Sequence, residues 1–123
     1  MMNYGVTVLV VLMAFLHFYI LMLEMFFWKK PLGLRIFGNS PEKAEITAVL
    51  AANQGLYNGF LGAGLLVSFL FAEPATTFAF QVFFLFCAMI AGVYGAWSAN
   101  RKILFVQALP AAVTLFLVLQ MFR

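Results

Sequence analysis

Two ionisable side chains, His17 and Glu24, stand inside a long apolar run, two helical turns apart. On a helix that spacing puts both on one face. Charged or titratable groups within a membrane segment are costly, and each is a functional hypothesis in its own right. A second apolar run carries a polar band of Asn53, Gln54, Tyr57 and Asn58. Asn53 and Tyr57 are i, i+4 neighbours on a helix, as are Gln54 and Asn58. Together these residue types can hold a polar ligand or pass a proton between a carboxylate and an imidazole.

Depth ties the two runs together. At ~1.5 Å per residue, His17 lies ~16 Å from the boundary at Trp28, and Tyr57 lies ~16 Å from the matching boundary at Ile46. Tyr94 reaches the same zone from a third run and Gln107 from a fourth. The expectation is a shared polar pocket opening toward one side, built from Glu24, His17, Asn53, Gln54, Tyr57, Asn58, Tyr94 and Gln107. A plainer reading stands beside it: Asn, Gln and Tyr tie membrane helices together at ~0.6–2 kcal/mol per bond. By that reading His17 bonds a neighbouring helix, and Glu24 snorkels or pairs with a loop lysine.

Other chemistries fit less well. One histidine and one intramembrane carboxylate are too few ligands for a four-coordinate metal site unless subunits share them. Cys87 stands alone, which excludes an internal disulfide and leaves it as a small hydrophobe for packing. No spacing links Ser40, Ser68 or Ser98 to His17 as a nucleophile. No cofactor is expected, and a formal charge of +3 is too small to point to nucleic acid.

The elements that must position these residues are membrane helices. The chain is 66% hydrophobic and 9% charged, against ~45–50% and ~25% in soluble domains. Four runs approach the ~20 residues needed to cross a bilayer. They predict one all-α domain over residues 1–123, with helices over 4–28, 41–71, 77–98 and 102–122. Helices satisfy their own backbone groups in lipid. Asn39 or Ser40 can cap the second helix, with Pro41 in its first turn. Glu73-Pro74 is expected to end it, and Thr76 or Thr77 to cap the third helix. Pro110 is expected to kink the fourth. The first run, which lacks a basic leader region, reads as a retained helix rather than a signal peptide.

Six of the seven basic residues fall in two connections: Lys29, Lys30, Arg35 and Lys43 in the first, and Arg101 and Lys102 in the third. The positive-inside rule then makes loops 29–45 and 99–102 cytoplasmic, with both termini outside. Lys29 and Lys30 could also touch anionic lipid. Ala51, Gly55, Gly59 and Ala63 form a small-residue stripe on the second helix, roughly opposite Asn53 and Tyr57. Such a stripe lets another backbone approach closely, either from this chain or from a second copy, so a homo-oligomer through Gly55 and Gly59 is one expectation. Ala88, Gly92 and Ala96 repeat the pattern on the third helix.

Several stretches resemble a known family. They are His17-Phe18-Tyr19-Ile20, Leu23-Glu24-Met25-Phe26 and Phe37-Gly38, then Ala51-Ala52-Asn53-Gln54-Gly55-Leu56-Tyr57-Asn58-Gly59. Ala91-Gly92-Val93-Tyr94-Gly95-Ala96, Lys102-Ile103-Leu104 and Val106-Gln107 with Pro110 continue the pattern. Together they resemble an uncharacterised bacterial membrane family, domain-of-unknown-function family 1304. The resemblance implies that the polar residues belong to the family's own pattern and that the chain sits in the bacterial inner membrane. It implies no activity. A fold-level similarity to the membrane-associated eicosanoid and glutathione metabolism proteins lacks the second-helix arginines that those proteins use for their thiol cofactor. Three functions remain open: binding or transport of a small amphipathic molecule; acid–base isomerase or hydrolase chemistry on a lipophilic substrate; and a structural oligomeric module.

Overall fold

The computed structural model describes residues 3–123. Among them every regular element is helical. Helix α1 is Tyr4–Met25, α2 is Pro31–Phe37, α3 is Pro41–Val67, α4 is Pro74–Ser98 and α5 is Leu109–Met121. A 3-10 turn, Ser68–Leu70, follows α3, and a π turn, Leu104–Ala108, leads into α5. Three helices are long and apolar enough to cross a membrane: Tyr4–Met25, Pro74–Ser98 and Leu104–Met121. Helix α3 has the length, but Asn53, Gln54 and Asn58 lower its apolarity below theirs.

The ends differ from expectation for local reasons. Helix α1 stops at Met25 rather than Trp28, and Lys30, before Pro31, is extended at φ −81° and ψ 159°. The short helix α2 was not foreseen. Pro31 starts it, and Gly38 ends it in the left-handed region (φ 66°), donating its N–H to the Leu34 carbonyl. Ser40 does cap α3, accepting from the Lys43 N–H at 3.2 Å. Pro74 opens α4 instead of closing the element before it. Glu73 therefore holds the N-cap position that was expected of Thr76 or Thr77, and its carboxylate accepts from the Thr76 hydroxyl at 2.7 Å.

The chain divides into two compact units, Phe15–Gly62 and the pair of segments Met1–Ala14 with Ala63–Arg123. In the second of these, α4 packs on the π turn and α5. Gly92 makes the close approach possible: a Cβ there would lie 2.6 Å from the Ala108 backbone nitrogen. The Gln107 amide donates to the Ala88 carbonyl at 3.0 Å, and Phe78 and Phe122 stack with centroids 4.1 Å apart. The distortion expected from Pro110 takes the form of the π turn. Proline has no N–H to donate and its ring crowds the carbonyl four residues back. The ladder widens just upstream, and the Leu109 N–H reaches the Leu104 carbonyl five residues back.

In the unit Phe15–Gly62, α1 and α3 pack through the small stripe. A Cβ at Gly55 would meet the Met25 side chain at 2.8 Å and the Glu24 Cβ at 3.0 Å, and one at Gly59 would meet Leu21 at 2.5 Å. The stripe thus receives a helix of the same chain. The Trp28 indole N–H donates to the Thr47 hydroxyl at 3.1 Å, and its ring lies 4.7 Å from that of Phe37. An exposed Lys29–Glu45 pair at 3.3 Å adds little.

The π turn against Gly92 makes a quantitative expectation. Gly92→Ala places a methyl against rigid backbone and should destabilise by ~1–3 kcal/mol. Gly95→Ala meets only the flexible Ile103 side chain, at 3.3 Å, and should be near neutral. Thermal unfolding of both variants in one detergent separates them; equal Tm values would contradict this packing.

Candidate functional site

The site is built from one face of α1 and one flank of α3. His17 is fully buried, at 0% exposure. Glu24 and Asn58 are half-buried. The Asn58 side-chain amide donates to Glu24 Oε1 at 2.8 Å and to the Gln54 backbone carbonyl at 3.2 Å. Its Oδ1 lies 3.0 Å from His17 Nδ1. Glu24 and His17 are therefore joined through a single asparagine.

The bonds settle the direction of each proton. Both acceptors around the Asn58 nitrogen need donors, and together they use both amide hydrogens. Its Oδ1 can then only accept, so the His17 Nδ1–H donates to it. A neutral ring in that tautomer presents Nε2 as a bare acceptor. That nitrogen is buried and has no partner among the described residues. A buried polar atom left unpaired costs ~1–3 kcal/mol, and such an atom in a folded protein calls for an explanation.

The other expected site residues divide into two groups. Asn53, Gln54 and Tyr57 lie in the same unit, but their side chains are exposed on the outer face of α3, with Tyr57 at 51%. Gln54 reaches the relay only through its main-chain carbonyl. Tyr94 and Gln107 belong to the other unit. There Tyr94 is exposed, its ring 6.0 Å from that of Trp97, and Gln107 is buried on the Ala88 carbonyl. A surface depression among Phe71, Pro74, Thr77 and Phe122 is lined by none of the eight. Buried Gln81, which donates to Ser68 Oγ at 3.2 Å, is a further polar tie between α4 and the turn after α3.

Singling out Asn58 from the band required knowing which side of α3 meets α1. The stripe of Gly55 and Gly59 carried that information. At ~100° per residue, Asn58 sits about 60° from Gly55, whereas Tyr57 and Asn53 sit about 160° away. The asparagine beside the stripe is the one that can face the helix filling it.

Three helices long and apolar enough to cross a membrane suggest a small helical membrane protein. The chain belongs to the family described as protein of unknown function (DUF1304), whose pattern residues 11–119 match. It is similar to the uncharacterized protein YpaA of Lactococcus lactis subsp. lactis (strain IL1403), with 32% identity over 102 residues, covering 81% of this chain and 84% of that protein. No solved structure matches it.

If Asn58 couples the two ionisable groups, removing both ends of a contact should cost less than the sum of the single losses. A double-mutant cycle of His17→Ala and Asn58→Ala in detergent should give a coupling of ~0.5–2 kcal/mol. Strict additivity would mean that the 3.0 Å contact carries no energy.

Proposed function

We propose that the protein binds or transports a small amphipathic molecule through the His17–Asn58–Glu24 relay, with a hydrogen-bond donor of the ligand placed on His17 Nε2. The observation that carries this reading is that nitrogen, buried and without a partner among the described residues. A bare imidazole nitrogen and a carboxylate are both acceptors. The ligand they favour is a donor, so an amphiphile with an amine or hydroxyl head fits better than one with a carboxylate head. Asn58 holds the imidazole in the tautomer that keeps Nε2 open.

The same reading places α3 in the membrane with the three more apolar helices, making four passes in the bacterial inner membrane. Both termini then lie outside, and the basic connections carrying Lys29, Lys30, Arg35, Lys43, Arg101 and Lys102 face the cytoplasm. Support comes from the length of α3, 27 residues, and from the charge asymmetry. The polar groups that lower the apolarity of α3 are a cost accepted for the site.

A second reading, acid–base chemistry on a lipophilic substrate, draws on the same nitrogen as a general base. Tyr57 is turned to the outer face and offers that chemistry no electrophile beside His17.

The test is a thermal-shift screen in detergent with amphipathic amines, alcohols and carboxylates, because a ligand that binds the folded state raises its Tm. Amines or alcohols should stabilise the wild type by several degrees, and Glu24→Gln and His17→Phe should lose most of that shift. In proteoliposomes, Glu24→Gln should also reduce flux of the stabilising compound. Equal shifts in wild type and both variants would remove the relay from binding. Product formation from a stabilising compound would favour the enzymatic reading instead.

A further inference from the structure

The hydrogen bonds of the relay leave the imidazole one open position. His17 Nδ1 is committed to Asn58 Oδ1, and the Asn58 amide to Glu24 Oε1 and the Gln54 carbonyl. What remains on the ring is a single lone pair, on Nε2. It accepts one hydrogen, which is either a hydrogen bond from a ligand or a proton from water. Once protonated, Nε2 is a donor and can no longer receive a ligand's N–H or O–H.

Granted the proposed placement of a ligand donor on that nitrogen, we infer that the relay exchanges its ligand for a proton. The two occupy His17 Nε2 in turn and never together, so protonation of the ring expels the ligand. In the step, the Nε2 lone pair forms an N–H bond with a proton from hydronium, and water is left behind. The ligand's hydrogen bond to Nε2 breaks, and the ligand leaves intact. For an ammonium ligand the charge also balances, since each occupant brings one positive charge to the relay.

Asn58 is oriented for this exchange. Its amide oxygen faces the ring and its amide nitrogen faces the carboxylate. The negative end of the amide dipole therefore meets an imidazolium, and the positive end meets ionised Glu24. Both contacts strengthen when the ring is charged. Neither contact has to break, because Nδ1–H donates to Asn58 in the neutral ring and in the charged one. The proton arrives on the opposite side of the imidazole without turning it.

No other titratable group competes for this role. Among the described residues every ionisable side chain other than His17, Glu24 and Cys87 is exposed. Tyr19 and Tyr57, which share α1 and α3 with the pair, are each 51% exposed. Cys87 belongs to the other unit. Glu24 is thus the ionisable group joined to the ring, and it supplies the counter-charge for either occupant.

The test uses the full wild-type chain in detergent. His17 is the sole histidine, so nitrogen NMR with isotopically labelled histidine reads this ring alone. Without ligand, the neutral ring should show a protonated Nδ1 and a bare Nε2, and Nε2 should gain a proton on acidification. The probes are decylammonium and decanol, neither of which changes its own charge between about pH 5 and 8. Because both bind the neutral ring, a saturating probe should make protonation of Nε2 require a lower pH. By the same linkage, probe affinity should fall about tenfold per pH unit once the ring is charged. Affinity that stays constant across this range, or a ring titration that the probes leave unmoved, overturns the exchange and leaves the binding site standing. Failure of both probes to bind at any pH, or a neutral ring that carries its proton on Nε2, overturns the binding site and the exchange with it.

Discussion

The hydrogen bonds of the Asn58 side-chain amide hold α1 against α3, and they use everything that amide has. Its two hydrogens go to the Glu24 carboxylate and the Gln54 carbonyl, and its oxygen takes the His17 proton. One residue thereby ties α1 to α3, sets the tautomer of the imidazole and leaves a single nitrogen open. The direction of the relay follows from counting donors and acceptors. Remove the amide and a carboxylate, a carbonyl and an imidazole each lose a partner.

Close helix approach is the condition for that bond. The short reach of an asparagine closes on both partners because Gly55 and Gly59 let α1 sit nearly on the α3 backbone. Membrane helices gain little from burying apolar surface, since lipid is as apolar as leucine, so tight backbone packing and hydrogen bonds do more of the work. The other unit repeats the device with different parts. Gly92 admits the π turn, and Gln107 then reaches the Ala88 carbonyl. In both places a glycine makes room and an adjacent amide uses it.

Helix α3 carries Asn58 on the flank that meets α1 and exposes Asn53 and Tyr57 on its outward face. It is also the least apolar of the long helices, because both of its faces carry polar groups. Family membership supplies no activity to set against this arrangement. His17 Nε2 and Glu24 are both hydrogen-bond acceptors, and that is the chemistry the relay offers.

The helical class, the long apolar segments, the Ser40 cap and the roles of His17 and Glu24 as outliers could be read from the sequence alone, because each depends on local chemistry or on periodicity along one helix. Helix ends at prolines were less legible, since Pro74 can close one element or open the next, and the short helix α2 depends on a left-handed glycine at Gly38. Which of Asn53, Gln54, Tyr57 and Asn58 meets the ionisable pair was decided only in three dimensions. Four polar residues within six positions point in all directions around a helix, and depth in the membrane cannot tell those directions apart. The tertiary structure chose by seating α1 on the glycine stripe, which turned Asn58 inward and Asn53 and Tyr57 outward.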